Sequence, residues 1–569
     1  MFKDERGSGS TSPRDPCCTL RVAHTVRCGT RQEAGMRDDR FHDHDSDGDP
    51  PRSGRRGHGG LSAGRGIRLS EVLSEATFFA CDDIVATGCS GDPDRCRPGD
   101  VFVARLTAEG DGHDDVERAL ARGVAGVVAE RIIPTFGTPL CIVSESSGAL
   151  ARLTHAFAGN PARRLKVIAI TGTSGKTTTA WLAASVLAEA GLRVGVLSDL
   201  GCLTADATEP VVADLSRPVV LANWLRRLES DGCTHAVVEV SSSMLAADCL
   251  AGVACDTVVV TNLGSAHLDM HGTSLAYHAV KSRILDCLGP DGCLIATADD
   301  DRVRRLVDRH AATAGGGRVL TAALTVPADV TATPVERTLF GQTFLVQAGG
   351  HSLPVAVSTP VASFVRDSLL AVAIGLRYRV PLERSTRGIE SCGSVAGRLE
   401  RIDRGQDHAT FVDHPTSGHA LSATLSGLRR LTRGRLVVLA ETACAERLVA
   451  DSRGPHATLR EVEGREVEGR VAATFNRRTM RWADDCLVVP DTLMDESGKA
   501  ADVMAYARID RLLSGLGPQD CLLVLGDLSG RCQNPIDPDG DPLPLAAVVD
   551  GWLQLAHVPQ PFVSGRDAA

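Results

Sequence analysis

Aromatic residues are scarce in this chain of 569 residues, because Phe, Trp and Tyr together make up only 4% of it. Its cores must therefore be built mainly from Ala, Val and Leu. A surplus of basic residues is also missing, since 61 Lys and Arg against 71 Asp and Glu give a net charge of −10. Such a chain is poorly suited to neutralising a phosphate backbone, which argues against nucleic acid as its main partner.

Long apolar runs are absent as well. No window approaches the roughly 18 uninterrupted apolar residues that suggest a membrane-spanning helix, and the charged N-terminus lacks the apolar stretch of a signal peptide. None of the 18 cysteines forms a Cys-x-x-Cys pair, which argues against a zinc site of that type. We therefore expect a cytoplasmic protein that does not insert into membranes, with its cysteines buried as free thiols.

The remaining composition is that of a folded protein with several domains. Hydrophobic residues at 43% and charged residues at 23% are typical of a globular chain, and the length suggests three or four domains. Residues 1–65, however, are rich in Gly, Asp, Arg, Ser and His and poor in aliphatic residues. They cannot bury enough apolar surface to offset the entropy of ordering, so they are predicted to form a disordered leader.

After the leader, short apolar segments alternate with helical segments. Helices are predicted at 114–122 and 177–190. Strands are predicted at 101–104, 126–129, 166–170, 194–197, 236–240, 257–261, 409–412, 435–440, 486–489 and 521–525. This alternation is typical of parallel sheets with helices on both faces, so the sequence predicts an α/β protein. One charged pentapeptide, residues 460–464, is repeated at 465–469 and is predicted to be an exposed insertion.

A glycine-rich segment between a predicted strand and a predicted helix carries the clearest chemical signal. It has the form Gly-x-x-Gly-Lys-Thr, in which backbone N–H groups and the start of a helix face a triphosphate. The lysine supplies a positive charge for the phosphates, and the threonine that follows can bind Mg²⁺. The residues expected to contact the nucleotide here are Gly172, Thr173, Ser174, Gly175, Lys176, Thr177 and Thr178.

Two further strand ends are expected to complete this site, because ligands of open α/β sheets bind beyond the carboxyl ends of the strands. Glu239 and Asn262 each follow an apolar strand, and a carboxylate at such an edge is a suitable ligand for Mg²⁺. His267 and His271 come shortly after Asn262, and Lys281 lies on a probable helix ten residues further on.

Together these segments resemble the Mur ligase family, the ATP-dependent amide ligases of peptidoglycan precursor synthesis. The resemblance extends over about residues 67–550 and is most like the enzymes that add the third peptide residue, a form that His267-Leu-Asp-Met-His271-Gly-Thr shares. It implies three domains: an N-terminal domain for the UDP-sugar at 66–164, a central ATP-binding domain at 165–394, and a C-terminal, Rossmann-like ligase domain at 395–569.

The resemblance also implies roles for individual residues. In the family, the lysine at the position of Lys281 is carbamylated and binds a second Mg²⁺ together with the histidine at 267. Catalytic roles are thereby implied for Lys176, Lys281 and His267, and Mg²⁺ ligation for Thr177, Glu239, His267 and Lys281. Nucleotide contacts are implied for Asn262, Arg398 and Asp413, and substrate contacts for Ser241 and His113.

Departures from the family pattern concentrate where the substrates bind. The histidine after the family's Glu-Val-Ser-Ser is Ser243 here, and an arginine further on is Cys249. The nearest counterpart of the Thr-Thr-Pro substrate loop is 216–218, and the first Asn of the nucleotide segment is Thr297. In the last domain, the segments that hold the incoming diaminopimelate are replaced, for example by 491–494.

These observations lead to three functional hypotheses. The first is a ligase that uses ATP and Mg²⁺ to join a free amino acid to a UDP-N-acetylmuramoyl peptide through an acyl phosphate, acting as a monomer. The second is a relative that binds ATP or a partner without catalysing amide formation. The third is a ligase for another acid and amine, since the altered loops determine acceptor specificity.

Overall fold

The computed structural model describes residues 66–107, 110–204, 208–209, 214–313, 317–450, 465–489 and 503–526, together with positions 545, 549–550 and 553–554. The predicted leader at 1–65, the first copy of the repeated pentapeptide and the segment at 491–494 lie outside these residues. No helix in the described ranges is long and apolar enough to cross a membrane.

The N-terminal part of the described chain forms a five-stranded sheet with strand order β2-β7-β6-β5-β4. The pairs from β4 to β7 are parallel, and β2 joins antiparallel at the edge. A separate antiparallel pair joins β1 and β3. The elements are β1 (Ile67–Arg68), β2 (Thr77–Phe79), β3 (Val85–Ala86), β4 (Gly88–Ser90), β5 (Asp100–Val103), α1 (Val116–Ala121), β6 (Gly126–Ala129), β7 (Leu140–Ile142) and α2 (Ser146–Phe157).

The middle part is built on an eleven-stranded sheet with order β11-β10-β9-β12-β8-β13-β14-β15-β16-β17-β18. Strands from β9 to β16 pair in parallel, and antiparallel strands extend the sheet on both sides. Its first elements are β8 (Lys166–Thr171), α3 (Lys176–Glu189), β9 (Val194–Ser198), β10 (Gly201–Leu203), β11 (Thr208–Glu209), α4 (Pro218–Ser230), β12 (His235–Glu239), α5 (Ser242–Ala246) and β13 (Cys255–Val260). The others are α6 (Leu268–His271), α7 (Ser274–Ser282), β14 (Leu288–Thr297), α8 (Asp301–Thr313), β15 (Arg318–Ala323), β16 (Val330–Thr338), β17 (Gly341–Ala348), β18 (His351–Val357), α9 (Ala362–Arg377) and α10 (Leu382–Cys392).

The apolar character of β8 explains why this sheet is covered on both faces. Ile168 and Ile170 pack with α3, α9 and α10, whereas Val167 and Ala169 pack with α4 and α5 on the opposite face. Successive residues of a strand point to opposite faces, so a continuous apolar run requires helices on both sides. The sheet and its helices therefore hold the end of β8, where the glycine-rich segment begins, in a rigid framework.

The C-terminal part has a third sheet, with order β19-β20-β23-β21-β22, in which only β19 is antiparallel. The elements are β19 (Glu400–Ile402), β20 (Ala409–Asp413), α11 (Gly418–Leu431), β21 (Leu436–Glu441), α12 (Thr442–Ala450), α13 (Arg465–Thr479), β22 (Asp485–Val489), α14 (Val503–Ser514) and β23 (Cys521–Leu525). The second copy of the pentapeptide forms the start of α13.

The sequence-based expectations for the fold class are confirmed. Each predicted strand and helix has a counterpart in the structure, and the α/β class with a central parallel sheet is correct. Every cysteine in the described ranges is a free thiol that is buried or half-buried, as expected. The three larger sheets fall in the three predicted domain ranges, while the boundaries at 164 and 394 stay predictions.

Candidate nucleotide and metal site

The glycine-rich segment lies between β8 and α3 and will be called the phosphate loop, residues 172–178. Two of its glycines are required by geometry. Gly172 has a φ of 153°, and a Cβ there would overlap the Thr261 hydroxyl. Gly175 has a φ of 80°, and a Cβ there would overlap the carboxyl group of Asp367 on α9. Only glycine accepts such conformations without strain, so the loop shape follows directly from these two residues.

Asn262, at the end of the neighbouring strand β13, fixes the loop from the side. Its Oδ1 accepts hydrogen bonds from the backbone N–H groups of Thr173 at 3.2 Å and Ser174 at 3.0 Å, and its Nδ2 donates to the Ser174 carbonyl at 2.9 Å. Two of the loop N–H groups are thus bonded to Asn262. The N–H groups at the start of α3 are the ones left to face phosphates, because the first turn of a helix provides no partners for them.

Glu239 and Lys176 face each other at the same edge of the sheet, because β12 and β13 flank β8 on either side. The Lys176 Nζ lies 3.7 Å from the Glu239 Oε1, and both side chains are buried. Burial raises the pKa of the Glu239 carboxyl, and nearby Asp199 adds to this effect. The Glu239 Oε1 has no hydrogen-bond partner within the described part of the chain, so one buried carboxylate oxygen is available to a ligand.

Lys281 lies in the interior of the protein, on α7, with 2% of its surface exposed. Its Nζ donates to the Thr171 hydroxyl at 3.0 Å, and it lies 5.6 Å from the centre of the Tyr277 ring. Burial, together with the positive charge of Lys176, lowers the pKa of the Lys281 ammonium group well below its ordinary value. The structure therefore brings Lys281 to the same strand end as the phosphate loop, with a shift toward the neutral amine.

His267 directly precedes α6 and has a left-handed conformation with a φ of 52°. Its ring centre is 6.2 Å from that of Tyr277, and the His271 ring centre is 5.4 Å from it. Across the described ranges, no three His, Cys, Asp or Glu side chains are close enough to form a metal site by themselves. A metal bound here would therefore need further ligands, such as hydroxyl groups, water, phosphate oxygens or a modified lysine.

Arg398 connects the phosphate loop to the C-terminal part of the chain. Its Nη2 donates to the Thr177 hydroxyl at 3.1 Å, and its Nη1 donates to the carbonyl of His414. Asp413, at the end of β20, is buried and accepts hydrogen bonds from the Leu399 N–H and the Thr424 hydroxyl. Burial raises the pKa of Asp413. The structure thus brings Arg398 to the loop, and the nucleotide contacts implied for Arg398 and Asp413 stay predictions.

A cavity of about 680 Å³ opens between the phosphate loop and the first residues of the C-terminal part. Besides the loop, it is lined by charged side chains, among them Asp299, Asp300, Asp301, Arg302, Arg305, Arg366, Arg398 and Asp413. Cavities of this size hold small molecules and cofactors. With a phosphate loop at its wall, this cavity has the size and the charge to take a nucleotide.

The two residues with implied substrate contacts lie outside the lining of this cavity. His113 is buried in the N-terminal part, with its Nδ1 2.6 Å from the Asp111 carboxylate and its Nε2 accepting from the Glu130 N–H. Ser241 caps α5, and its hydroxyl accepts from the Met244 N–H at 3.1 Å. Their substrate roles stay predictions.

Sequence reasoning missed several residues that line the cavity, among them Asp367 and Thr359. Burial raises the pKa of the Asp367 carboxyl to about 8, and Asp367 lies against the phosphate loop from α9. Asp367 is the one acidic residue of α9, and this was a signal in the sequence that could have marked it. Thr359 is buried and precedes α9, and nothing in its local sequence distinguishes it from an ordinary loop threonine.

Comparison with known proteins shows which family this chain is similar to. Residues 170–375 match the family model described as the Mur ligase middle domain. The UDP-N-acetylmuramyl-tripeptide synthetase of Roseiflexus sp. (strain RS-1) is 31% identical over 503 residues, which cover 81% of this chain and 94% of that protein. The UDP-N-acetylmuramoyl-L-alanyl-D-glutamate–2,6-diaminopimelate ligase of Chlorobaculum tepidum is 29% identical over 460 residues, covering 78% and 87% of the two chains.

Solved structures show the same fold at lower identity. A structure of a UDP-N-acetylmuramoyl-L-alanyl-D-glutamate–2,6-diaminopimelate ligase superposes with a TM-score of 0.60 at 18% identity, covering 86% of this chain and 99% of that one. MurF ligase from Thermotoga maritima, solved in complex with ADP, has a TM-score of 0.50 at 18% identity, covering 77% and 93%. With the extended match to the Roseiflexus protein, these findings show that the chain belongs to the Mur ligase family.

Proposed function

We propose that this chain is an ATP- and Mg²⁺-dependent ligase that joins an amino acid to UDP-N-acetylmuramoyl-L-alanyl-D-glutamate, acting as a cytoplasmic monomer. The observation that carries the proposal is the pairing of Lys176 with Glu239 beside the phosphate loop, with 3.7 Å between Nζ and Oε1. It provides a cation for phosphate oxygens and a carboxylate for a divalent metal in one place. The names of the relatives described above support the choice of substrate.

The residues at the loop fit a magnesium ion. Glu239 has a buried carboxylate oxygen without a hydrogen-bond partner in the described ranges, and Thr177 presents a hydroxyl oxygen beside it on α3. Oxygen donors of this kind are the ligands that Mg²⁺ prefers. When bound, Mg²⁺ supplies charge neutralisation for the phosphate oxygens during phosphoryl transfer.

Lys281 and His267 are the proposed ligands of a second Mg²⁺, with Lys281 carbamylated. In this modification, the neutral amine attacks CO₂ to form an N-carboxylate and releases one proton. The reaction needs an unprotonated amine, and the lowered pKa of Lys281 supports that state. The product places an anion near Lys176, where a protonated Lys281 would place a second cation.

The proposed reaction has two covalent steps. A carboxylate oxygen of the substrate attacks the γ-phosphorus of ATP, ADP leaves, and an acyl phosphate forms. The amine of the amino acid then attacks the acyl carbon, phosphate leaves, and a proton is lost from nitrogen. Lys176 and the first N–H groups of α3 hold the phosphates, and Arg398 keeps the Thr177 hydroxyl in place.

A ligase for another acid or amine is a second candidate, and one contact favours it. Cys249 is buried, and its thiol donates to the carbonyl of Ser216 at 2.9 Å. Two positions that depart from the family pattern are thus bonded to each other. Because a thiol provides no positive charge for a carboxylate, the acid bound here can differ from that of the relatives.

One assay distinguishes these candidates. The purified protein is incubated with ATP, Mg²⁺, the UDP-linked dipeptide and a panel of amino acids, and ADP and new amides are identified by mass spectrometry. We expect one amide, formed in equal amount to ADP. Lys176→Ala should weaken ATP binding about 10- to 100-fold, whereas Lys166→Ala, at an exposed lysine on β8, should leave it unchanged. No amide with any amino acid, despite tight ATP binding, would contradict the proposal.

A further inference from the structure

Arg105, which follows β5 closely in the chain, has a guanidinium group without a partner. The residue is half-buried, and its Nε is shielded from solvent. In the described ranges, no hydrogen bond or ion pair involves its Nε or its two Nη atoms. A guanidinium group carries a permanent positive charge and five N–H donors, so leaving it partly desolvated and unpaired is unfavourable. A bound anion that supplies the missing partner therefore gains affinity.

The N-terminal part of the chain holds Arg105 in place beside α2. The Arg105 carbonyl accepts from the Gly112 N–H at 2.8 Å. Its side chain passes so close to Gly91 that a Cβ there would lie 2.8 Å from the Arg105 Nε and 3.0 Å from Leu150 of α2. The missing side chain at Gly91 thus leaves the space in which the guanidinium group lies.

The same helix contacts the turn that contains Cys249. The His155 Nε2 on α2 lies 3.0 Å from the Cys249 carbonyl, and the Cys249 thiol donates to the Ser216 carbonyl at 2.9 Å. Burial raises the pKa of this thiol to about 12, two nearby carboxylates add to the increase, and Arg105 is a nearby cation that opposes it. Arg105 therefore lies where the N-terminal part meets two positions that depart from the family pattern.

The two carboxylates near this thiol already have partners. Asp248 forms an ion pair with Arg283, and Asp214 accepts from the Ser216 N–H at 2.9 Å and from its hydroxyl at 2.7 Å. Neither of them pairs with Arg105 in the part of the chain that the structure describes. Arg105 is thus a cation at this junction that is free to bind an anion from outside the chain.

This junction is close along the chain to the carboxylate of the metal site. Glu239 precedes Cys249 by ten residues, and α5 between them has 5 residues, which corresponds to about 7.5 Å along a helix axis. The Cys249 N–H donates to the Met244 carbonyl at 3.0 Å, so the turn folds back onto α5. An anion bound here is therefore expected to belong to the reacting end of the substrate, which carries the glutamate, rather than to its UDP end.

We propose that Arg105 binds the glutamate carboxylate that is not activated, and that it supplies the positive charge that the family places at the position of Cys249. The substrate has two free glutamate carboxylates. One forms the acyl phosphate, whereas the other stays negative throughout and needs a cation in a closed site. The inference rests on the proposed function in that UDP-N-acetylmuramoyl-L-alanyl-D-glutamate is the substrate.

The test compares the wild type with Arg105→Gln, which removes the charge and keeps a polar side chain. Dissociation constants are measured by calorimetry, with a non-hydrolysable ATP analogue present, for the UDP-linked dipeptide, its two glutamate monoamides and UDP. We expect Arg105→Gln to bind the dipeptide about 10- to 100-fold more weakly and UDP as tightly as the wild type. One monoamide should bind equally to both proteins, because it lacks the carboxylate that Arg105 holds. The wild type should still convert this monoamide into product, since its reacting carboxylate is intact.

Two further variants serve as controls. Arg105→Lys keeps the charge but loses the fork of donors, so it should bind the dipeptide with intermediate affinity. Arg152→Gln removes an exposed arginine on α2 that lies against Gly252, close to the same turn, and should leave binding unchanged. The thermal midpoint of Arg105→Gln without ligand should not fall, because its guanidinium group has no partner to lose. Should this variant fail to fold, Arg105→Met allows the same comparison.

Three results would overturn the inference: unchanged binding of the dipeptide by Arg105→Gln, an equal loss for UDP, which would assign the contact to the diphosphate, or an equal loss for the dipeptide and both monoamides. Wild-type protein that binds neither the dipeptide nor UDP would instead contradict the proposed function. A wild type that binds the dipeptide but forms no amide would contradict the ligase reaction and leave the Arg105 comparison of binding intact.

Discussion

At the scale of single residues, buried ionisable side chains cluster around the phosphate loop. The chain has only five lysines, and two of them, Lys176 and Lys281, are buried there with Glu239 and Asp367. Burying charged groups is costly unless they are paired or neutralised, and such clusters are most common at functional sites. These four residues are therefore the most informative positions for mutagenesis.

Lys281 provides the clearest test among them. If its carbamate is needed, Lys281→Ala should lower ligase activity at least about 100-fold, because a negative ligand is lost from the metal site. A short carboxylate such as acetate should restore part of this activity by occupying the space of the carbamate. The measurement is the initial rate of ADP formation with increasing acetate. Lys166→Ala is the control, whose rate should equal that of the wild type and should not change with acetate.

A Lys281→Ala variant with near-normal activity would show that the carbamate is not used. A variant that has lost activity but gains nothing from acetate would favour a structural role, in which the amine supports β8 through its bond to Thr171.

Asp367 leads to a prediction about pH. Burial raises its pKa from an ordinary value of 3.8 to about 8, so between about pH 4 and 8 the folded state keeps a proton that the unfolded state releases. The contribution of Asp367 to the free energy of unfolding therefore falls as pH rises through that window and is constant on either side of it. The side chain introduced by Asp367→Asn is neutral at every pH. As pH rises from about 5 to 8, the thermal midpoint of Asp367→Asn should therefore rise relative to that of the wild type.

The control for this series is Asp308→Asn, at an exposed position on α8. The difference in thermal midpoint between this variant and the wild type should be the same at each pH. An equally constant difference for Asp367→Asn would mean that Asp367 is ionised in the folded protein.

At the scale of elements, α3 allows a comparison between its two ends. Gly175 precedes the helix with a φ of 80°, and Gly191 follows it with a φ of 83°. A Cβ at Gly175 would overlap Asp367, whereas a Cβ at Gly191 has nothing within 4 Å. Gly191→Ala should cost about 1 kcal/mol of stability for its backbone conformation and leave ATP binding unchanged. Gly175→Ala should weaken ATP binding as well, and calorimetry that found equal ATP affinity in both variants would contradict this.

Every element that the sequence predicted is present, although the prediction named only ten of the 23 strands and two of the 14 α-helices in the described ranges. The helix predicted at 177–190 is Lys176–Glu189 in the structure, and the strand predicted at 257–261 is Cys255–Val260. Continuous apolar runs and one glycine-rich turn were sufficient, because buried parallel strands leave a strong local pattern. The antiparallel strands β16 to β18 were not predicted, since their half-exposed faces carry mixed residues.

At the scale of the whole molecule, the site depends on contacts between distant parts of the chain. The bond from Arg398 to Thr177 joins residues 221 positions apart, and the cavity is lined by residues from both the middle and C-terminal parts. A local pattern carries no information on such pairs. The resemblance to the Mur ligase family suggested Arg398, whereas the fold was needed to place Asp367 beside the loop and Thr359 in the cavity lining.

The predicted leader gives a test at the same scale. If residues 1–65 are disordered, limited proteolysis should cleave there first and leave a fragment that begins near residue 66. That fragment should bind ATP as tightly as the full chain, because the described residues that line the cavity begin at Ser174. Mass spectrometry of the digest identifies the first cut, and an early cut between residues 165 and 394 with an intact N-terminus would contradict the prediction.

The most direct test of the proposed reaction follows one oxygen atom. The UDP-linked dipeptide is prepared with ¹⁸O in both free carboxylates of its glutamate, and the phosphate released with the amide is analysed by mass spectrometry. In the acyl phosphate route, the attacking carboxylate oxygen leaves with the phosphate, so we expect one ¹⁸O in each phosphate released. Amide formation with unlabelled phosphate, or ATP cleavage without any amide, would contradict the proposed function.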